Sequence, residues 1–205
     1  DVRTNTTDKT LRNKSLMALS KYYININPKT AIIYLQILTK YKNSNEHKPS
    51  LLLLGKSYLK IKKYKLAEKI FNEFQKKYPF ENIDEVKFLK GRIYLSMKKY
   101  KQAIHYFTSL KNENPFSPYL KEINFYLALA RLSSSSYSRR NRDMAINLLK
   151  NYLKNKKAKN KYNSYVLLID LYIANNDYRN SKNIISKIIR FYLKENGVEE
   201  VIYKY

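Results

Sequence analysis

Apolar positions along this chain recur in short runs of helical period, punctuated by polar breaks. Leu54, Tyr58 and Ile61 fall at i, i+4 and i+7, which places them on one helical face. Ala67, Ile70, Phe71 and Phe74 then form the facing stripe of a second helix. Breaks come at Asn27-Pro28, Lys48-Pro49, Tyr78-Pro79 and Asn114-Pro115-Phe116-Ser117-Pro118. Ser117 ahead of Pro118 predicts a helix N-cap with proline in the first turn, where its missing N–H costs nothing.

The pattern itself repeats. Leu54-Gly55-x-x-Tyr58, Ala67-x-x-x-Phe71 and Pro79 are answered by Gly91-x-x-Tyr94, Ala103-x-x-x-Phe107 and Pro115, every landmark 36 residues on. The same interval backwards reaches Leu19, Tyr22, Ala31 and Leu35; forwards come Ala128, Ala145 and Leu149, then Ile169, Tyr172, Ser181 and Ile185. The small or apolar slot of each first helix precedes that of the second by 12 residues in four units (19/31, 55/67, 91/103, 169/181) and by 17 at 128/145. A five-residue insertion, expected as a loop within Ser133–Arg142, accounts for the exception. About ten helices in five hairpins are predicted, over 12–47, 48–83, 84–119, 120–161 and 162–196. Residues 1–9 are expected as a disordered or linker lead and 197–205 as a C-terminal cap, all of 10–205 forming one domain.

The order Leu-Gly-x-x-Tyr, Ala-x-x-x-Phe, Pro resembles the tetratricopeptide (TPR) repeat, over roughly residues 10–193. The resemblance implies an all-α, right-handed superhelical solenoid whose concave face is lined by the first helix of each hairpin. Counting from each slot, the lining falls on Leu16, Ser20 and Tyr23, then Leu52, Lys56 and Leu59, then Phe88, Arg92 and Leu95. The last two units supply Phe125, Leu129 and Leu132, and Val166, Asp170 and Ile173. Such a strip is an expected binding site for a protein or peptide, against the alternative that these residues pack between adjacent first helices as core. The Lys and Asn side chains with which some TPR domains grip a carboxy-terminal peptide are replaced here by Leu16, Ser20, Leu52 and Lys56, so that activity is not implied. Asn114-Pro-Phe-Ser-Pro-Tyr119 and the charged loop before Asp143 resemble the BamD-like envelope lipoproteins of bacteria. That likeness implies a scaffold in the periplasm or membrane-associated envelope, serving outer-membrane protein assembly or a periplasmic flagellar apparatus; a cytoplasmic setting is the alternative.

Composition narrows the remaining choices. With 205 residues the chain can bury a real core. Three glycines and five prolines argue against sandwich, barrel and propeller folds. The absence of cysteine removes disulfides, cysteine zinc sites and thiol nucleophiles. No apolar run is long enough to span a bilayer. The polar, Thr-rich opening at Asp1 suggests a processed product with a signal or lipid anchor upstream. Forty-one Lys and Arg against 16 Asp and Glu give a net charge of +25. An RNA- or anionic-lipid-binding surface is therefore one alternative function, and a structural homo-oligomer another. Only nine of the cations are arginine and the lysines are evenly spread, which argues against nucleic acid and for coding bias. The exception is Arg139, Arg140 and Arg142, concentrated in the expected loop and read as a contact for an acidic partner surface. Catalysis and cofactors are not expected: His47 and His105 lack metal-ligand spacing, Gly55, Gly91 and Gly197 cannot form a phosphate loop, and the carboxylates sit beside lysines.

Overall fold

The computed structural model describes the backbone of residues 2–134, 138–155 and 157–192, with side chains over 8–134, 138–155 and 157–190. Among these residues there are ten helices and no strand. They are α1 (Val2–Ile26), α2 (Pro28–Leu38), α3 (His47–Lys60), α4 (Tyr64–Lys77), α5 (Ile83–Ser96), α6 (Tyr100–Glu113), α7 (Leu120–Ser133), α8 (Arg139–Leu153), α9 (Lys161–Ala174) and α10 (Tyr178–Tyr192). The contacts form two compact units, Asp1–Met97 and Lys98–Tyr205; α1 pairs with α2 and α3 with α4 in the first, and α7 with α8 and α9 with α10 in the second. Helix α1 takes in the expected linker lead, starting at Val2. The expected cap at 197–205 lies outside the described residues.

The second helices carry the strongest repeat. Ala31/Leu35/Leu38, Ala67/Phe71/Phe74, Ala103/Phe107/Leu110 and Ala145/Leu149/Tyr152 are all at most 1% exposed, and Ser181 and Ile188 continue the register. The small residue lets the paired helix approach, and the large residue one turn later fills the space beyond. The glycine of α3 shows how closely: a Cβ on Gly55 would lie 2.6 Å from Cε1 of Phe71.

Turn chemistry explains why the hairpins share a register. The three-residue connections Ile61–Lys63 and Asn175–Asp177 place Lys62 and Asn176 in the left-handed region, each with φ 60°. Lys63 N–H then reaches Tyr58 O at 2.9 Å, and Asp177 N–H reaches Tyr172 O at 2.8 Å, closing the helix ends by the Schellman pattern. The first hairpin departs from this. Asn27 alone joins α1 to α2, its side chain capping Thr30 N–H, and the register moves by one residue. Leu19 and Tyr22, expected to face α2, stand 41% and 63% exposed, and Ser20 fills the buried slot.

Two further expectations shift. Helix α7 begins at Leu120 rather than at Pro118; Ser117 Oγ accepts the Tyr119 N–H at 3.4 Å in the turn before it. The five inserted residues are not all loop. Two lengthen the α7–α8 connection to 134–138, and three add nearly a turn to the start of α8, capped by Ser138 Oγ on Asn141 N–H.

Candidate functional site

In the first unit the predicted lining residues of α3 and α5 remain at the surface in part. Leu52, Lys56 and Leu59 are half-buried along one face of α3, and Arg92 and Leu95 along α5. Phe88 is not available to a partner: it is 4% exposed, with the Arg92 guanidinium 5.8 Å from its ring centroid one turn on. Lys56 Nζ stands 2.5 Å from Glu85 Oε1, tying the middle of α3 to the first turn of α5. Glu85, with Asp84, also places negative charge at the positive end of the α5 dipole. On α1, Ser20 is fully buried with its Oγ donating to Leu16 O, while Leu16 and Tyr23 pack on the cluster formed by Met17, Ala31, Leu35 and Leu54. Ser20 thus belongs to the core, with Leu16 and Tyr23 half-buried against it.

The second unit gives a similar outcome. Phe125 is 6% exposed and packs against Tyr152 with centroids 5.4 Å apart. Leu129, Leu132, Val166 and Ile173 lean on the same cluster of Ala128, Leu149, Leu168 and Ile169. As a lining residue Phe125 is therefore corrected, since like Phe88 it is buried, whereas Leu129, Leu132, Val166 and Ile173 stay half-buried. Arg139, Arg140 and Arg142 are corrected too, since they stand on the first turns of α8 and not in a loop. Arg142 turns inward. Its Nε donates to Asn175 Oδ1 at 2.6 Å, and Asn175 Nδ2 donates to Asp143 Oδ1 at 2.8 Å, joining the start of α8 to the end of α9. Arg139 and Arg140 are exposed.

Lysines in the first unit act as ties between successive hairpins. Lys60 Nζ, at the end of α3, donates to Ile24 O (3.0 Å) and Asn25 Oδ1 (2.5 Å), satisfying acceptors at the end of α1. Lys77 Nζ donates to Lys42 O at 3.1 Å, and Lys48 pairs with Glu81 at 3.0 Å. Lys90 is 5% exposed; it donates to Gln75 Oε1 at 2.5 Å, and burial lowers its pKa against the opposing pull of Glu68.

His47 is buried at 1% exposure, where α3 begins. Its Nδ1 lies 2.8 Å from Tyr78 Oη and 3.4 Å from Lys77 Nζ. Burial first, then the Lys77 charge, holds its pKa below the ordinary histidine value, so the ring is neutral at pH 7. Among the described residues no group of three His, Asp or Glu side chains is arranged to hold a metal ion, and no helix is long and apolar enough to cross a membrane.

The tetratricopeptide repeat family model matches residues 50–80 and 85–117, the hairpin α3–α4 and the stretch from α5 through α6. Residues 50–117 carry tetratricopeptide repeats. The TPR fold extends well beyond those two matches. The structure of MamA, residues 41 to the end, from Desulfovibrio magneticus superposes with a TM-score of 0.71 at 16% identity, covering 91% of this chain and 98% of that one. PilF of Pseudomonas aeruginosa superposes with a TM-score of 0.69 at 18% identity, covering 94% of this chain and 82% of that one. No curated protein matches this sequence. At these identities the likeness is one of fold: all-α, of the TPR solenoid class. TPR proteins are in general non-catalytic scaffolds that bind protein or peptide partners.

Proposed function

We propose that this chain is a non-catalytic scaffold that holds an extended or helical segment of a protein partner against the first-helix faces of its first unit. The observation that carries this reading is the half-buried stripe Leu52, Leu59 and Leu95, bracketed by Lys56 and Arg92. Leucines that are neither fully packed nor fully solvated gain from a partner that removes them from water, and the two cations orient it. The Lys56–Glu85 pair holds α3 and α5 at a fixed separation, so the stripe is organised before the partner arrives. The setting we propose is a bacterial cell envelope, and its support is the likeness of Asn114-Pro-Phe-Ser-Pro-Tyr119 to envelope TPR lipoproteins.

A photo-crosslinking residue at Leu59 or Leu95, in cells of the source organism, tests the site. The expected result is a discrete protein adduct at both positions that disappears on Arg92→Glu and is absent from the same probe at exposed Lys101. Equal labelling at Lys101, or none at Leu59 and Leu95, refutes the reading. Partner binding through leucines should change little from low to moderate salt, whereas an RNA- or lipid-phosphate contact falls steeply. Cell fractionation of the same strain decides the compartment.

A further inference from the structure

We propose that the outer face of α1 docks an amphipathic helix with acidic edges, supplied by a different protein. Leu11, Leu19, Tyr22 and Ile26 are 63%, 41%, 63% and 63% exposed, and their spacing of eight, three and four residues lines them along one side of the helix. Ser15 and Ala18 fill the gaps, and Ser15 Oγ is turned back on Leu11 O. The stripe runs about 22 Å, four turns at 1.5 Å per residue. Elsewhere among the described residues, large exposed apolar side chains are scattered singly over other helices and turns.

Charge selects the occupant. Lys14 and Lys21, two turns apart and both exposed, run along one edge of the stripe, and neither makes an ion pair among the described residues. Arg12 stands at the other edge, its guanidinium 4.7 Å from the Tyr41 ring centroid. A second copy of this chain would lay its α1 antiparallel, edge against like edge, setting Lys14 and Lys21 against their own counterparts and +25 against +25. A helix with a leucine seam and Glu or Asp beside it meets the same face with opposite charge. This surface is independent of the α3–α5 stripe, and either can fail without the other.

The test uses the full chain and two synthetic helical peptides with identical leucine seams, one edged with Glu and one with Lys, followed by fluorescence anisotropy. The Glu-edged peptide is expected to bind, to weaken about tenfold or more on Tyr22→Glu, and to keep its affinity on Leu59→Glu. Lys14→Glu with Lys21→Glu should reverse the preference toward the Lys-edged peptide. Both positions are exposed, so circular dichroism should show unchanged helicity. Equal binding of the Glu-edged peptide to the Tyr22→Glu variant would assign it to general lysine charge and overturn the proposal. Concentration-dependent doubling of mass that Tyr22→Glu abolishes would make a second copy the occupant, and overturn it too.

Discussion

The two units of this chain use one repeat in two ways. In the first, Gly55 opposes Phe71: the first helix gives up its side chain and the second supplies a whole ring. In the second, Ala128 and Leu149 share the same role, and in the last hairpin Ile169 and Ile185 do, the bulk moving step by step onto the first helix. The flanking positions do not follow that shift: Leu52, Leu59 and Leu95 in the first unit and Leu129, Leu132 and Val166 in the second are all half-buried, and Phe88 and Phe125 are buried alike. The distribution of volume across a slot thus changes how a hairpin packs without closing the face beside it.

The largest expected effect comes from exchanging these solutions. Phe71→Ala should cost about 3–5 kcal/mol, as for other fully buried phenylalanines. Gly55→Ala gains about 1 kcal/mol of helix propensity but drives a Cβ into the ring, and the usual overpacking cost of about 1–3 kcal/mol leaves a net loss of up to about 2 kcal/mol. Gly55→Ala with Phe71→Leu recreates the Ala128/Leu149 pair, and should be more stable than the two single changes summed. A urea-denaturation double-mutant cycle measures that coupling; strict additivity would show that the pair does not set the slot.

Much of this was legible before the fold was seen, for a definite reason. The second-helix triads require a small residue and then a large one four positions on, and evenly spaced Schellman turns keep their interval constant, so 36 could be read directly. The first-unit register was missed because it depends on a connection of one residue, Asn27, and Leu19 is as apolar as any true core position. The lining residues were half legible. Periodicity gives their face, but how far each side chain on it is covered depends on the neighbouring helices, which bury Phe88 and Phe125 and leave the leucines half-buried. His47 and Lys90 were invisible, since a polar residue in a polar stretch carries no mark of the Tyr78 or Gln75 that will bury it.

A pH titration should separate the two units next. Folded His47 titrates below its unfolded value of 6.5, so the unfolded chain takes up the proton first as acid is added. The stabilisation from the neutral ring is complete above pH 6.5 and is lost as pH falls through that value toward the folded pKa. Hydrogen exchange at α3 amides should accelerate over that window while α9, in the other unit, changes less. His47→Gln should flatten the α3 response; an unchanged α3 profile in that variant would clear the histidine. A smaller effect attaches to the half-exposed Lys56–Glu85 pair, where Lys56→Ala should cost about 0.5 kcal/mol in thermal or urea melts, reduced further by salt.

The contrast between the units sharpens at the helix starts. Helix α5 of the first unit opens with Asp84 and Glu85, charges that suit its positive end. Helix α8 of the second opens with Arg139 and Arg140 and has no acid in its first turn. Its extra turn thus places two cations where the dipole disfavours them. Arg142 is exempt, because its Nε satisfies Asn175 across to α9. Arg139→Glu with Arg140→Glu should therefore stabilise the chain by about 0.3–1 kcal/mol per residue at low ionic strength, fading as salt is added. Arg142→Ala should destabilise it. If the exposed pair serves an acidic partner, the same double change should weaken binding as the melting temperature rises, the signature of charge held against local stability. If the melting temperature rises and partner affinity is untouched, Arg139 and Arg140 only decorate a helix lengthened by insertion, and contact for the second unit must be sought on another face.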